Sequence, residues 1–275
     1  MIRAGCGWLA GVALALAIAA VPAAAQTREQ VASCWDGSSP DQRIEGCTAE
    51  IKSGRYEGVN LAILYANRCD DWRVKGDLDR AMDDCNMAIG IDRTYAGAFI
   101  NRGNLWDIKH DEVRALADYD EAIRLKPDDA LGYSMRANAH SARGEHALAI
   151  ADYDRAARLN PNDPIVYNNR CSEMMLVRRY QAALADCNES LRIRPANAST
   201  LQLRAAAYLA LGQLDMALAD YDASARLGAN DPWMLYGRGL ARRRRGDTSG
   251  DGDIAAARAI EPAIATRFEQ FYGIK

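Results

Sequence analysis

The sequence predicts an all-α solenoid, which is a linear stack of antiparallel helix pairs. A three-residue pattern, with Asp first and Asp or Asn last, recurs every 34 residues, a period typical of units that bury their apolar faces only against their neighbours. Abundant Ala, Leu, Arg and Asp, with only 7% aromatic residues, favour helices over strands. The five copies of the pattern are Asp84-Cys85-Asn86, Asp118-Tyr119-Asp120, Asp152-Tyr153-Asp154, Asp186-Cys187-Asn188 and Asp220-Tyr221-Asp222.

The first 25 residues predict a secretory signal peptide. Arg3 precedes an apolar run from Leu9 to Ala20, and the segment ends with the small residues Ala23-Ala24-Ala25. The apolar run is shorter than the roughly 20 residues of a membrane-spanning helix. We therefore expect cleavage near Ala25, export to the bacterial periplasm or the medium, and no membrane contact by the mature chain.

The mature chain is mildly acidic. Of the 34 basic side chains only Arg3 lies in the leader, so 33 remain against 37 acidic ones, a formal charge of −4. This mixed charge provides no field that would attract nucleic acid or a membrane surface, and neither is expected as a partner.

Residues 26–61 predict an N-terminal cap that contains one helix from Pro40 to Ser53. Ser39 is suited to cap this helix, and proline is favoured in a first helical turn. One helical face is apolar, and we expect it to cover the first repeat. That face consists of Ile44, Cys47 and Ile51.

Six helix pairs are predicted between residues 62 and 262. The fourth place of each first helix holds an aromatic or Leu and the eighth place a small residue, on one helical face. Glycine follows at the turn, Ala recurs at the twentieth place, and proline ends several second helices. The predicted repeats are 62–95, 96–129, 130–163, 164–197, 198–231 and 232–262.

Residues 263–275 predict a C-terminal capping helix. The last repeat of a solenoid needs a cover for its apolar face, and this segment carries three aromatic side chains that we expect to turn inward. These side chains are Phe268, Phe271 and Tyr272.

The pattern resembles the tetratricopeptide repeat family, in particular its secreted bacterial members. The aromatic, small, Ala and Pro places follow in the family's order between Ala96 and Asp129, with Asn-Arg-Gly at 101–103 and Ala-Asp-Tyr-Asp at 117–120. His110 departs from the family pattern because it stands at the turn-glycine place. The resemblance covers most of the mature chain and implies a concave groove, formed by the first helices, that binds a protein or peptide.

The six cysteines of the mature chain predict three disulfide bonds. Cys69 and Cys85 occupy the eighth and twenty-fourth places of the first repeat, and Cys171 and Cys187 the same places of the fourth. Antiparallel helices bring these places close together, and an exported chain meets oxidising conditions. Cys34 and Cys47 then pair by elimination. The alternative is that these cysteines are small buried apolar residues.

Two columns of opposite charge predict ion pairs between helices. Arginine stands at the seventh place of every repeat, and aspartate at the twenty-third place of the first five, with Asp253 continuing the column. Such columns on facing helices are best explained as structural pairs, whose contribution grows with burial. The arginines are Arg68, Arg102, Arg136, Arg170, Arg204 and Arg238.

A row of polar side chains on the first helices is our candidate binding surface. Amide groups both donate and accept hydrogen bonds, so they can bind the backbone of an extended peptide, although a solvated polar face is the simpler alternative. The basic side chains with which family members clamp a C-terminal carboxylate do not stand at the matching places. The candidates are Asn67, Asp70, Asn101, Asn104, Ser134, Asn138, Asn168, Asn169, Ser172 and Gln202.

A second hypothesis uses the run Arg242–Arg245 at the end of a predicted first helix. Four consecutive cations, with Trp233 and Tyr236 nearby, could contact an anionic envelope polymer or lipid headgroup. Their position at a helix C-terminus, where the helix dipole favours positive charge, also explains them as a solvated helix end.

Catalysis, cofactors and metals are not expected. The sequence has no serine elbow, phosphate loop or metal-binding histidine cluster, so a cryptic enzyme is the least favoured hypothesis. The segment from Asp247 to Asp253 resembles the start of a calcium loop, but Arg258 stands where the closing carboxylate belongs. The favoured prediction is therefore a non-enzymatic scaffold for an unidentified protein or peptide partner.

Overall fold

The computed structural model describes Cys34 and residues 37–275, and all regular secondary structure in these residues is helical. The predicted all-α class is therefore confirmed, whereas the predicted signal peptide lies outside the described residues. No helix in the described part is long and apolar enough to span a bilayer. The helices are α1 (Pro40–Lys52), α2 (Gly58–Val74), α3 (Leu78–Ile91), α4 (Ala96–Ile108), α5 (Glu112–Leu125), α6 (Ala130–Ala142), α7 (His146–Leu159), α8 (Pro164–Leu176), α9 (Tyr180–Ile193), α10 (Ala198–Ala210), α11 (Leu214–Arg226), α12 (Pro232–Arg244), α13 (Gly250–Ile260) and α14 (Ile264–Tyr272).

Helices α2 to α13 form six consecutive hairpins. Each second helix packs against the first helix of its own repeat and against the first helix of the next. First helices of neighbouring repeats also contact one another, as α2 does with α4 and α10 with α12, whereas second helices of neighbouring repeats do not come as close. The array therefore curves, with the first helices on its inner surface.

The turn inside each hairpin has one backbone conformation whatever its residue. Glycine takes left-handed φ values of 72° to 85° in four of the repeats. His110 and Arg178 occupy the same turn place with φ values of 58° and 60°, although this conformation costs a non-glycine residue about 1–2 kcal/mol. The packing of the two helices therefore dictates the turn even where glycine is absent.

The charge columns form a continuous ladder of ion pairs. Arg102 donates from Nε and Nη2 to Asp118 of its own repeat, both at 2.8 Å. Its Nη1 donates to Asn86 of the preceding repeat at 2.9 Å. In the recurring pattern, then, the first residue pairs within its repeat and the third pairs with the next repeat. Equivalent contacts join Arg136 to Asp152 and Asp120, Arg170 to Asp186 and Asp154, Arg204 to Asp220 and Asn188, and Arg238 to Asp253 and Asp222.

Two kinds of contact fill the space between the eighth and twenty-fourth places. Cys69–Cys85 and Cys171–Cys187 are disulfide-bonded, with Cα atoms 5.5 and 5.6 Å apart, inside the usual range for such bonds. In the second repeat Tyr119 packs on Gly103, where an added Cβ would lie 2.5 Å from the tyrosine ring. A large ring facing a small residue thus fills the place that a disulfide fills elsewhere.

The N-terminal cap continues the ladder beyond the first repeat. Ser39 caps α1, and Ile44 and Cys47 are buried against the first repeat. Arg68 donates to Thr48 of α1 at 2.9 Å, which replaces the contact that later arginines make with the preceding repeat. The Cys34–Cys47 disulfide ties the segment before α1 to this helix.

The C-terminal helix differs from the sequence-based expectation. Phe268 is buried and Tyr272 is half-buried, but Phe271 is 40% exposed, so the prediction that all three aromatic side chains turn inward is wrong for Phe271. Phe271 instead meets the Trp233 ring edge-on, with ring centroids 5.3 Å apart. Helix α14 also extends past the last repeat and contacts α8 of the fourth.

Removal of the disulfide in the fourth repeat tests the equivalence of the two contacts. We expect Cys171→Ser with Cys187→Ser to destabilise the chain by about 3 kcal/mol, because a loop of roughly 15 residues is no longer closed. Cys171→Ala with Cys187→Tyr recreates the pair Ala137 and Tyr153 of the third repeat. This double variant should lose less of the free energy of unfolding than the serine variant. Urea unfolding followed by circular dichroism measures both. Equal loss in the two double variants would contradict the equivalence.

Loss of one ladder arginine should destabilise the solenoid more than loss of a surface arginine. Arg136→Met leaves the nearly buried carboxylate of Asp152 without its guanidinium, and we expect a cost of about 2 kcal/mol, between the values for exposed and buried pairs. The control is Arg124→Met, which breaks an exposed pair with Glu121 and should cost less than about 0.5 kcal/mol. Similar urea midpoints for both variants would show that the ladder adds little stability.

Candidate functional site

The inner surface contains two depressions, and the predicted binding residues divide between them. The first has a volume of about 310 Å³ and lies beside the N-terminal cap and the first three repeats. The second, of about 320 Å³, lies beside the last three repeats and is bounded by α14. Asn67, Asp70 and Asn101 line the first depression, Asn168, Asn169, Ser172 and Gln202 line the second, and Asn104, Ser134 and Asn138 line neither.

Most of the predicted amides form hydrogen bonds between neighbouring helices. Asn101 donates from Nδ2 to the carbonyl oxygen of Ala66 in the preceding repeat, at 2.9 Å. Gln202 donates to Asp231, the N-cap residue of α12, at 2.7 Å, and Asn168 accepts from the Thr200 hydroxyl at 2.8 Å. These side chains therefore join the repeats, and a ligand would use only their remaining hydrogen-bonding capacity.

Tyrosine hydroxyls from the second helices reach the inner surface. Tyr119 donates to Asn104 at 2.9 Å and to Asp107 at 2.6 Å. Burial raises the pKa of the Asp107 carboxyl, although this hydrogen bond opposes the shift. Tyr153 donates in the same way to Asn138. Asn104 and Asn138 are thus held by the tyrosine of their own repeat, and neither lines a depression.

The first depression combines apolar and hydrogen-bonding side chains. Ile100, Tyr95 and Leu131 contribute apolar surface, and Leu131 is 49% exposed although it lies on a first helix. Asn67 and Asn101 stand beside them. An exposed leucine next to amide groups matches the pattern of a protein-binding site, where a few polar groups orient a ligand on apolar surface.

Acidic side chains set the charge of the first depression. Asp70 is half exposed and pairs with Arg73 at 2.7 Å, one turn along the same helix. Asp71 is buried, and burial raises its pKa, while the guanidinium of Arg43 opposes the shift through a 2.8 Å hydrogen bond from Nε. Because an arginine pairs with each of these two carboxylates, the positive and negative charges at the first depression largely balance.

The second depression is bounded by aromatic groups. Trp233 and Tyr272 lie beside Asn168, Asn169, Ser172 and Gln202. Burial raises the pKa of Tyr272 to about 12, so its hydroxyl stays neutral at physiological pH. The sequence alone did not indicate that a residue of the terminal helix would border this part of the inner surface.

Several lining residues were missed by the sequence interpretation. Tyr95, Ile100 and Leu131 were missed because the search considered polar residues, and apolar residues of a repeat were assigned to packing between helices. Arg43 was missed because it lies in the N-terminal cap and not on a first helix of the array. One available signal was the second place of each first helix. This place faces the inner surface, where small or polar residues are expected. It instead holds the large apolar residues Leu131 and Ile165, which are 49% and 55% exposed.

The run Arg242–Arg245 does not form a free cationic patch. Arg242 donates to Asp253 at 2.8 Å, and Arg243 and Arg245 pair with Asp251 and Asp215 at 3.2 and 2.9 Å. Arg244 donates to the carbonyl oxygens of Leu209 and Lys275. All four guanidinium groups therefore have hydrogen-bond or ion-pair partners within the protein. Positive side chains are expected at a helix C-terminus.

The calcium-like segment is organised by the same ion pairs. Asp253, the last acidic residue of this segment, binds Arg238 and Arg242. Asp247 accepts from the backbone N–H of Ser249 at 2.9 Å. Among the described residues no group of three or more His, Cys, Asp or Glu side chains is arranged to hold a metal ion.

One buried polar cluster joins the third and fourth repeats. Ser141 donates to Glu173 at 2.6 Å, and Nδ1 of His146 lies 2.8 Å from the other oxygen of the same carboxylate. The carboxylate therefore stands between the serine and the histidine. A nucleophilic serine needs the imidazole itself as hydrogen-bond partner, so this cluster has the geometry of a structural link.

Comparison with known proteins identifies the repeat. Residues 130–163, which coincide with the third predicted repeat, match the tetratricopeptide repeat family. The chain has the fold of a tetratricopeptide repeat solenoid. No curated protein sequence matches the chain.

Solved structures share this solenoid fold. PilF of Pseudomonas aeruginosa is 16% identical, with a TM-score of 0.67 over 76% of this chain and 96% of PilF. YrrB, described as a tetratricopeptide repeat protein with an unusual peptide-binding site, is 19% identical, with a TM-score of 0.57 over 71% of this chain and 98% of YrrB. A tetratricopeptide repeat protein of Parabacteroides merdae is 16% identical, with a TM-score of 0.57 over 84% of this chain and 92% of that protein. These low identities support a common fold and nothing finer.

Proposed function

We propose that the chain is a non-catalytic scaffold, exported to the bacterial periplasm, that binds an extended segment of a partner protein on its inner surface. The observation that carries this proposal is the first depression. It is open, about 310 Å³ in volume, and places the exposed Leu131 beside Asn67 and Asn101 on neighbouring first helices.

The depression suits an extended segment with an apolar side chain. Tyr95 and Leu131 would contact that side chain, and the amides of Asn67 and Asn101 would bind the adjoining peptide groups, because an amide both donates and accepts. The half-exposed carboxylate of Asp70 stands at the rim, where it would bind a polar or cationic group of the segment. YrrB, which has a similar fold, has a peptide-binding site, so the fold is compatible with this role.

Export is supported by the cysteines and the N-terminal sequence. All six cysteines of the mature chain are bonded in pairs and buried, and structural disulfides persist in oxidising compartments. Residues 1–25 have the basic start, apolar run and small-residue end of a secretory signal. Both features are expected of a periplasmic protein.

The alternatives have less support. An envelope-polymer or anionic-lipid accessory would need free guanidinium groups at Arg242–Arg245, and all four have acceptors within the protein. An enzyme would need convergent reactive groups, whereas the Ser141–Glu173–His146 cluster places a carboxylate between the serine and the imidazole.

Photo-crosslinking in the periplasm tests the binding surface. We expect benzoylphenylalanine at Leu131 to form a specific crosslink to a partner. The same group at Leu148, which is equally exposed on the second helix of that repeat, should not. Crosslinks of equal yield at both positions, or none at either, would count against the proposal.

Charge reversal at the rim provides a second readout of the same experiment. Asp70→Lys should lower the crosslinking yield at Leu131 by about tenfold, the equivalent of 1.4 kcal/mol in affinity. Asp83→Lys changes charge by the same amount on the exposed side of α3 and should leave the yield unchanged. An equal effect of both variants would indicate a long-range charge effect and not contact with the depression.

The N-terminus of the exported protein tests its localisation. We expect mass spectrometry of the protein from a periplasmic extract to show a chain that begins at Gln26, and Ala25→Arg to leave an unprocessed precursor, because the cleavage site requires small residues. A full-length chain with reduced cysteines in the cytoplasm would contradict export.

A further inference from the structure

Helix α14 lies on the inner surface and does more than cap the last repeat. It packs against α12 and α13 of the sixth repeat and also contacts α8 of the fourth. The hydroxyl of Tyr180, at the start of α9, donates to the carbonyl oxygen of Tyr272 at 2.6 Å. Arg244 donates to the carbonyl oxygen of Lys275, the last residue. The terminal segment therefore spans the first helices of three repeats.

The surface beneath α14 is an aromatic platform. Trp233 stands at the second place of its first helix, the place that Leu131 occupies in the first depression. Its ring centroid lies 5.9 Å from that of Phe268 and 5.6 Å from that of Tyr272. The Tyr236 and Phe268 rings meet edge to face at 5.3 Å. Offset and edge-to-face ring pairs of this kind add to the stability that burial alone provides.

The side chains by which α14 binds this platform follow a helical period. Ile264, Phe268 and Tyr272 recur every four residues and form one face. Ile264 and Phe268 are fully buried, and Tyr272 packs against the buried cluster around Met175 in the fourth repeat. A short amphipathic helix docked through such residues in a groove is a recurrent mode of protein recognition.

The helical form of α14 depends on its contacts with the rest of the chain. The helix has nine residues, and isolated helices shorter than about 12–15 residues are marginal in water, so its helical form depends on docking. Phe271 remains 40% exposed, and the second depression stays open between Tyr272 and the amides of Asn168 and Asn169. An incoming chain can thus reach the edge of the platform while α14 is still bound.

We infer that the inner surface of repeats four to six, centred on Trp233, is a helix-binding surface that α14 occupies within the chain and that a partner's amphipathic helix occupies in its place. The partner helix would carry large aliphatic or aromatic side chains at intervals of four residues, as α14 does. Exchange is favoured over simple release, because release would expose Phe268 and the buried side chains beneath it, whereas exchange keeps them covered.

This surface is separate from the first depression. The two lie at opposite ends of the solenoid, and the linings of the first and second depressions have no residue in common. The helix-binding surface can therefore be tested with a purified protein and a synthetic peptide, whatever the result of crosslinking at Leu131.

The test uses the full chain with a protease site inserted between Pro262 and Ala263. The chain folds with α14 in place, and cleavage then makes α14 a separable ligand. The probe is a fluorescent peptide of residues 262–275, followed by fluorescence anisotropy. We expect the cleaved protein to bind the probe about tenfold or more tightly than the uncleaved protein, because covalent attachment keeps the effective concentration of α14 high.

Matched variants show whether binding occurs at the proposed surface. Trp233→Ala in the cleaved protein should weaken probe binding about tenfold, a loss typical of a central aromatic contact. A probe with Phe268→Asp should not bind, whereas a probe with Thr266→Ser, which changes a side chain outside the apolar face, should bind as the original does. Phe268→Asp in the uncleaved chain provides a second route, since it weakens the internal helix and should increase probe binding.

Three results would overturn the inference. The cleaved protein could fail to bind the probe while its circular dichroism shows an intact solenoid. The Phe268→Asp probe could bind as well as the original, which would mean non-specific association. Light scattering could show that the uncleaved chain forms dimers that the probe dissociates, which would assign the surface to α14 of a second copy instead of a different partner.

Discussion

The ion-pair ladder is the constraint on which the rest of the solenoid depends. Each arginine at the seventh place binds an aspartate of its own repeat and a polar residue of the preceding repeat, or of the cap in the case of Arg68, and Arg102 does so with Asp118 and Asn86. One guanidinium thus sets both the spacing of two helices and the stacking of two repeats. Because removal of one partner would leave a charge in a poorly solvated place, every repeat must keep the same register.

The ladder also leaves the neighbouring places free to vary. Between its two polar residues, the recurring pattern holds Tyr or Cys, and either fills the same space. Tyr119 packs on Gly103 and sends its hydroxyl to the inner surface, whereas Cys85 bonds to Cys69 and sends nothing there. The choice between stapled and tyrosine-containing repeats therefore changes the polar groups of the inner surface without changing the fold.

The inner surface has a structural role before it has a binding role. Asn101, Gln202 and Asn168 connect consecutive first helices, and two depressions lie beside these connections. One depression is open beside Leu131. The other is bordered by the chain's own terminal helix. We propose different ligands for the two depressions, an extended segment for the first and a helix for the surface beside the second.

The sequence by itself determined the architecture, because periodic patterns are local. The 34-residue spacing predicts the helix pairs, and the joint occurrence of Cys at two places indicates the pairs 69–85 and 171–187, which are bonded in the structure. Only the tertiary structure decided which polar side chains on the first helices are used between repeats, that each arginine of the run 242–245 has an acceptor within the protein, and that α14 reaches α8. These outcomes depend on the curvature of the whole array, which brings together residues as far apart as Tyr180 and Tyr272. A local sequence pattern does not specify a contact between residues so far apart along the chain.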